Sequence, residues 1–324
     1  MRTQLYPEMI KKSANQAIEF LLARGSLPIL FWLKKEVLEV PIDRELKNLE
    51  KYGVRIRILE SQKPTGSWGR RSYDGQPRFE KACTTIETLK NVSKLYDYGC
   101  TLMSDGIQKA IRYLFSTQTK KGEFYGMDFS EYALVYHALT LEILCRFGLD
   151  KDERVQKGFR WMMQKREEDG GWSVPAPTIQ KKRLKNQPPP ESKSYSHFIT
   201  GMVLRVFAES PTWRKRKEAW KTGELLLARL FQKSPSSDKV VPSFGEEIGY
   251  PFWNTDILSS LDSLSKIGFN AQEENIQRAL RWLLKKQNSH GFWETGNRKS
   301  TLEDLLWVTL AVLKVLKRFR LFEL

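Results

Sequence analysis

The stretch Ile276-Gln-Arg-Ala-Leu-Arg-Trp282, followed by Gln287, Gly291 and Trp293, decides the fold of this 324-residue chain. It recurs without a gap at Ile107-Gln-Lys-Ala-Ile-Arg-Tyr113 and at Val155-Gln-Lys-Gly-Phe-Arg-Trp161. Three later positions also align in the three copies. The first holds Gln118, Arg166 and Gln287; the second holds Gly122, Gly170 and Gly291; the third holds Phe124, Trp172 and Trp293. Self-similarity of this kind indicates an array built from one repeated supersecondary unit.

Two weaker copies follow the same spacing, and copies begin about every 50 to 65 residues. One starts near Lys51 and supplies Gln62, Gly66 and Trp68, and the other starts near Lys221 and supplies Gln232. Each copy opens with apolar residues at helical spacing, and its Gly suits a left-handed helix cap. A second, more apolar helix is predicted after each copy, over residues 78–98, 129–147, 194–209, 253–267 and 301–318, and residues 9–23 with 29–40 predict a degenerate extra hairpin.

Amphipathic helices that alternate with apolar ones predict two concentric layers, because a helix that is apolar all round must be buried. We therefore predict an all-α chain, an α/α toroid (α6-α6 barrel) of about six helical hairpins. We expect one domain over residues 1–324, with residues 174–193 as a basic, proline-rich loop insert.

Composition bounds the function only loosely. The formal charge of +16 favours an acidic partner such as an anionic membrane surface, a phosphorylated ligand or nucleic acid. Three cysteines without a CxxC pair favour a reduced, cytoplasmic setting. The N-terminal residues are polar and mixed in charge, unlike a signal peptide, and the longest apolar run, residues 27–33, is too short to cross a bilayer.

The repeat resembles the QW motif of squalene-hopene and oxidosqualene cyclases. The residues that carry the resemblance are Lys157-Gly158 through Trp161 with Gly170 and Trp172, and Arg278-Ala279 through Trp282 with Gln287, Gly291 and Trp293. Protein prenyltransferase β subunits have a similar toroid, and Tyr250 to Asp262 resembles uncharacterised prenyltransferase/squalene oxidase repeat proteins. The resemblance implies that the Gln and Trp residues are structural and close the ends of helices.

The catalytic signatures of these families are missing from the sequence. There is no Asp-x-Asp-Asp, with which class II terpenoid cyclases protonate an alkene, and no Asp-Asp-x-x-Asp for binding Mg²⁺-diphosphate. None of Cys83, Cys100 and Cys145 stands in the Asp-and-Cys arrangement with which prenyltransferases hold zinc. We therefore predict neither a cofactor nor a metal site.

Candidate site residues lie where each inner helix begins, because those ends should face one mouth of the cavity. The candidate catalytic residues are Asp256, Asp128, Glu131 and His197, and the candidate substrate-binding residues are Tyr132, Tyr195, Tyr250, Phe252, Trp253 and Trp307. Aromatic faces suit a long apolar ligand and can stabilise a developing carbocation. The alternative is that Asp128, Asp256, Glu303 and Asp304 only cap helices, and that His197 is a hydrogen-bonded interior or rim residue.

These observations predict an isoprenoid-related protein that binds a long apolar ligand in a central cavity. Two alternatives stay open: a non-catalytic toroid that binds a lipid, peptide or protein, and a carbohydrate-active α/α-barrel enzyme. The basic residues 213–217, Lys314, Lys317, Arg318 and Arg320 are interpreted as solvated outer surface, or as a contact with anionic lipid at the membrane periphery. Nucleic-acid binding lacks any recognition motif, and the sequence leaves the oligomeric state open.

Overall fold

The computed structural model describes residues 7–69, 77–125, 133–173, 195–231, 248–249, 255–296 and 299–323. Helices and isolated β-bridges make up the regular structure of these residues. The α-helices are α1 (Pro7–Arg24), α2 (Leu27–Leu33), α3 (Asp43–Glu50), α4 (Gly53–Glu60), α5 (Pro77–Asp97), α6 (Asp105–Ser116), α7 (Ala133–Arg146), α8 (Glu153–Met163), α9 (His197–Glu209), α10 (Lys217–Arg229), α11 (Ile257–Ile267), α12 (Glu274–Lys285) and α13 (Leu302–Arg318). The all-α prediction is confirmed.

The chain divides into two compact units, one of residues 53–222 and one of residues 1–52 with 223–324. We call them the middle unit and the terminal unit. The middle unit contains three copies as the hairpins α4–α5, α6–α7 and α8–α9. The terminal unit contains α11, the last copy as α12–α13, and the N-terminal helices α1 to α3. A π-helical turn, Lys34–Leu38, continues α2, and the short helix α3 was not predicted. The prediction of a single domain stays a prediction.

Burial separates the two kinds of helix as predicted. On α12 the buried residues are Ile276, Ala279, Leu280, Leu283 and Leu284, which form one stripe, and α6 buries a similar stripe. In contrast, α9 buries every residue from Ile199 to Ala208. We therefore call α2, α5, α7, α9, α11 and α13 inner helices, and α1, α4, α6, α8, α10 and α12 outer helices.

Where a copy carries the repeated Gln in the described part of the chain, that residue joins the copy to the outer helix that follows it. The side-chain amide of Gln62 donates to the carbonyl of Gly66 at 2.9 Å and to that of Gly106, in α6, at 2.8 Å. Gln118 likewise donates to Gly122 at 3.0 Å and to Arg154, in α8, at 2.8 Å. One amide thus closes its own loop and also donates to a carbonyl in the first turn of the next outer helix, since a carbonyl oxygen can accept a second bond.

The last copy is joined to the N-terminal helix in the same way. The amide of Gln287 donates to the carbonyl of Gly291 and, also at 2.9 Å, to that of Ser13 in α1. A Cβ on Gly291 would lie 2.8 Å from the carbonyl oxygen of Gln16. Helix α1 therefore takes the place of the next outer helix, and the predicted degenerate hairpin is confirmed within the terminal unit.

Where the repeated aromatic residue is Trp, its indole N–H and its backbone N–H each donate a hydrogen bond. The indole N–H of Trp172 donates to the carbonyl of Met162 at 2.9 Å, and its backbone N–H donates to the Thr200 hydroxyl at 3.1 Å. Trp68 with Thr88 and Trp293 with Thr309 make the same pair of bonds. These bonds satisfy a helix-end carbonyl and a loop amide in the core, so the structural role implied by the resemblance is confirmed.

One copy replaces the threonine with a buried histidine. The Nδ1 atom of His137 accepts from the backbone N–H of Phe124 at 3.1 Å, and Nε2 donates to the carbonyl of Gly158 at 3.0 Å. The ring lies 4.5 Å from that of Trp161 and is fully buried. Burial lowers the pKa of His137 to about 3, although the bond to Gly158 opposes that shift. His137 is a neutral core residue at physiological pH.

We expect His137→Thr, which restores the residue of the other copies, to make stability less dependent on pH. The unfolded histidine titrates near 6.5, so between pH 6.5 and 3 the unfolded state binds a proton that the folded state does not. Stability therefore falls as the pH falls through this window. Urea unfolding at pH 7 and 5 should show that the native protein loses about 2 kcal/mol more than the variant. Equal losses would mean that His137 is protonated in the folded protein.

Candidate functional site

The predicted site residues divide into those that the structure describes and those that it does not. Asp128, Glu131, Tyr132, Tyr250, Phe252 and Trp253 lie outside the described residues. Tyr195 and His197 lie in the middle unit where α9 begins, whereas Asp256 and Trp307 lie in the terminal unit on α11 and α13. Helices α11 and α13 pack against each other.

Asp256 is the N-cap of α11 and is 3% exposed. Its Oδ1 accepts from the backbone N–H of Ser259 at 2.7 Å, and its Oδ2 accepts from that of Gly249 at 2.8 Å. The Ser259 hydroxyl accepts in return from the backbone N–H of Asp256, which completes a capping box. Asp304 takes part in the equivalent capping box with Thr301 in α13. The capping interpretation is therefore confirmed for both acids, and a catalytic role of Asp256 stays a prediction.

Tyr195 and His197 form an aromatic pair at the start of α9. Their ring centroids are 5.3 Å apart in an edge-to-face arrangement, and Tyr195 is 5% exposed. The backbone N–H of Tyr195 donates to the carboxylate of Asp169 at 2.8 Å, while Ser196 between them caps the helix. Bonds to backbone N–H groups thus fix the chain on both sides of Ser196, which positions the pair at the start of α9.

The last turns of the inner helices carry charges that the sequence analysis did not place in a site. In the terminal unit these residues, which we call the basic cluster, are Glu36, Asp262, Lys266, Lys314 and Arg318. Lys266 contacts Asp262 at 2.8 Å, and Lys314 contacts Glu36 at 2.9 Å. Arg318 joins the two halves, because it pairs with Asp262 and lies 3.7 Å from Glu36. The cluster therefore connects α11, α13 and the π-helical turn after α2.

Burial and crowding both affect the charges of the basic cluster. Burial by itself would raise the pKa of Asp262, but Lys266, Arg318 and Lys314 outweigh it and hold that pKa well below its usual value. Burial lowers the pKa of Lys314, and the neighbouring Arg318 and Lys266 lower it further, while Glu36 acts in the opposite direction. Asp262 is therefore held in its charged form, whereas burial and the neighbouring cations disfavour the charged form of Lys314.

The middle unit has a comparable group at the last turns of α7 and α9. Arg205 pairs with Glu142 at 3.2 Å, and the two residues are 6% and 7% exposed. Arg146 lies 3.4 Å from Glu142 and 3.5 Å from Glu209. Burial opposes the charge of Arg146, but Glu142 and Glu209 raise its pKa, so it stays protonated. This group links two inner helices by ion pairs in an otherwise apolar layer.

The interpretation of Lys314 and Arg318 as solvated surface is wrong, because both are partly buried and paired with inner-helix acids. A sequence signal for these clusters did exist. Oppositely or equally charged residues stand four apart within apolar helices, as in Asp262 with Lys266, Lys314 with Arg318, Glu142 with Arg146, and Arg205 with Glu209. Residues four apart share one helix face, so such a pair on an inner helix points to a polar patch there.

The described part of the chain shows neither a metal-binding group of side chains nor a membrane-spanning helix. No group of three or more His, Cys, Asp or Glu side chains there lies close enough together to hold a metal ion. No helix among the described residues is long and apolar enough to cross a bilayer.

Comparison with known proteins supports the fold. Residues 80–197 match the squalene-hopene cyclase C-terminal domain family. A structure of a variant of the type II terpene cyclase MstE from Scytonema matches 98% of this chain and 100% of its own, at 13% identity and a TM-score of 0.51. A glycosidase variant matches 98% of both chains at 11% identity, with a TM-score of 0.47. No curated protein sequence matches the chain. The chain thus has a terpenoid-cyclase-like α/α toroid fold.

Proposed function

We propose that the protein binds a long apolar ligand of the isoprenoid class along its inner helices. The observation that carries this proposal is the likeness to a type II terpene cyclase over nearly the whole chain, together with the family match over residues 80–197. Fold likeness alone does not transfer a reaction, since one fold hosts many functions. The proposal therefore concerns the class of ligand.

The inner helices supply the chemistry that such a ligand needs. Tyr195 and Trp307 are aromatic residues that are 5% and 9% exposed, and both lie on inner helices or directly before one. A pocket for an apolar ligand is lined mainly by aliphatic and aromatic side chains, with few polar groups to orient it. We propose the same role for Tyr132, Tyr250, Phe252 and Trp253, and polar contacts for Asp128, Glu131 and His197.

Turnover is not part of the proposal. The sequence has no Asp-x-Asp-Asp, and the carboxylate oxygens of the candidate acid Asp256 accept from two backbone amides. Both oxygens of this carboxylate therefore take part in capping and loop closure, which is a structural role. These facts favour binding without the protonation that starts a type II cyclisation.

An anionic membrane surface stays the proposed partner for delivery of the ligand, in a cytoplasmic setting. Arg216, Lys217 and Lys221 are exposed around Trp220, which is itself 41% exposed on the outer helix α10. Tryptophan beside basic residues is favoured at the boundary of anionic lipid and water.

The ligand class is tested by titration with geranylgeraniol, followed by tryptophan fluorescence and by native mass spectrometry. We expect saturable binding of one molecule per chain and a raised melting temperature, because a ligand that binds only the folded state stabilises it. Trp307→Leu should weaken binding by about tenfold, whereas the matched change Trp220→Leu on an outer helix should not. Lack of saturable binding, or equal protection by maltoheptaose, would contradict the proposal; the latter result would favour the carbohydrate alternative.

A further inference from the structure

The three inner helices of the middle unit end side by side. Arg146, in the last turn of α7, lies 3.5 Å from Glu209 in the last turn of α9. Its guanidinium also lies 5.6 Å from the ring centroid of Tyr96 in the last turn of α5. The loops that leave these helix ends, which we call the end loops, therefore lie at one end of the unit: residues 98–104, 147–152 and 210–216.

Contacts between neighbouring elements make the end loops one continuous surface. The ring of Phe147, the first residue of the second end loop, stands edge-on to that of Tyr96 at the end of α5, with 5.3 Å between centroids. Asp150 in the same loop accepts from the hydroxyl of Thr212 in the third end loop at 2.8 Å, and from its backbone N–H at 3.3 Å. A surface that is ordered in advance loses less conformational entropy when it binds a partner.

The third end loop presents a run of cations that a buried tryptophan anchors. Trp213 is buried, and its ring stacks on that of Phe159 with 4.6 Å between centroids. The next four residues, 214–217, are all Lys or Arg, and the last three of them are exposed. Residues 210–221 contain five cations and a single carboxylate, that of Glu218. This part of the surface is therefore positive and attracts anionic partners.

Apolar side chains are exposed at the same end of the unit. Met103 in the first end loop is 88% exposed, and Trp220 in the first turn of α10 is 41% exposed. The turn that carries Met103 is fixed, because its backbone N–H donates to the hydroxyl of Thr101 at 3.2 Å, and the amide of Gln108 donates to the carbonyl of Leu102 at 2.9 Å. Cations combined with exposed apolar side chains favour an anionic bilayer over nucleic acid, since only the bilayer offers an apolar phase beneath its charged groups.

We propose that the end loops dock the protein on an anionic bilayer, with Lys215, Arg216 and Lys217 against the lipid head groups and Met103 inserted at the boundary of the acyl chains. Docking through this end rests on the membrane partner proposed above and adds to it the face of the middle unit that meets the lipid. It is independent of the class of ligand, because none of the proposed ligand-binding residues lies in an end loop.

Docking is tested by sedimenting the full chain with vesicles of phosphatidylcholine alone and of an equal mixture of phosphatidylcholine and phosphatidylserine. We expect binding to the mixed vesicles that weakens as salt is added, and little binding to phosphatidylcholine alone, because salt screens exposed charges. Lys215→Gln combined with Lys217→Gln should weaken binding by about tenfold or more. The matched control is Lys120→Gln with Lys121→Gln, which removes two exposed lysines beyond the other end of α6 and should weaken binding by less than about twofold.

Two variants at Met103 distinguish insertion into lipid from attraction to any polyanion. Met103→Ser should weaken binding to the mixed vesicles by about fivefold, whereas Met103→Leu should keep it, because only the first removes apolar surface that leaves water on insertion. All the changed residues are exposed, so each variant should keep the melting temperature of the native chain.

Three results would overturn docking through the end loops. Equal losses for the two lysine pairs would mean that net charge alone causes adsorption. Undiminished binding of Met103→Ser, together with release of the protein from vesicles by a duplex oligonucleotide, would assign the cations to nucleic acid. Absence of binding to the mixed vesicles would exclude docking outright. The geranylgeraniol titration is made without vesicles, so the proposed ligand class stands or fails separately.

Discussion

Gly66→Ala is expected to lower the free energy of unfolding by about 3 kcal/mol or more, a large effect for a single methyl group. Gly66 has a φ of +86°, where a residue with a Cβ is strained. In addition, the new Cβ would lie 2.2 Å from the carbonyl oxygen of Lys109 in α6. No rotamer change can relieve a contact with backbone, so α6 must move and lose its bond from Gln62. Urea unfolding, followed by circular dichroism, measures the effect.

Gly148→Ala is the matched control in the same unit. Gly148 has a similar φ of +79°, but a Cβ there would meet no atom within 4 Å. This variant should therefore cost only the conformational strain, about 1 to 2 kcal/mol. Equal destabilisation of the two variants would mean that α6 moves away from the Gly66 loop without a cost in free energy. The contact between that loop and α6 would then not contribute to stability.

Glu142→Leu is expected to destabilise the protein by about 3 to 5 kcal/mol, as when one partner of a buried ion pair is removed. The change takes away the carboxylate that faces Arg205, which is 6% exposed, and Arg146. Two guanidinium groups then stay in the inner layer with less negative charge around them. The free energy of unfolding at pH 7 is the measurement.

A double variant distinguishes the cost of an unpaired buried charge from the cost of altered packing. Glu142→Leu combined with Arg205→Leu removes both charges, and we expect it to recover most of the loss, because hydrophobic residues often replace a buried pair at little cost. Glu87→Leu is the control on the inner helix α5, where the pair with Lys90 is 3.8 Å long and partly exposed, and it should change stability by less than about 1 kcal/mol. If the double variant is as unstable as the single one, buried charge is not the cause.

Much of the fold could be predicted because the repeat records local geometry. The spacing of Gln62, Gly66 and Trp68 is set by one helix end and one loop, so it reads the same in each copy. The loop bond is kept even where the Gln is replaced. The Nε of Arg166 donates to the carbonyl of Gly170 at 2.7 Å, as the Gln amide does in the other copies. The threonine partners, and His137 in place of one of them, were not predicted because they lie on the next helix at separations that vary between copies.

The candidate site was less predictable than the scaffold. Asp256 could be assigned as a cap from its place before α11, since capping is a local property. Lys314 and Arg318 looked like a basic surface because the sequence does not show that Glu36, almost three hundred residues earlier, faces them. The meaning of a charge depends on its neighbours in space and on its access to water.

The sequence by itself therefore determined the helical hairpins, the helix-closing role of the repeated Gln and Trp residues, and the two kinds of helix. Each of these follows from periodicity and from contacts within one copy or to the next. Tertiary structure alone decided that α1 receives the bonds from the last copy, and that the charges at the ends of α11 and α13 form one cluster. These features join residues that are distant along the chain. They depend on which helices pack together and how much water remains between them, and no local spacing encodes either.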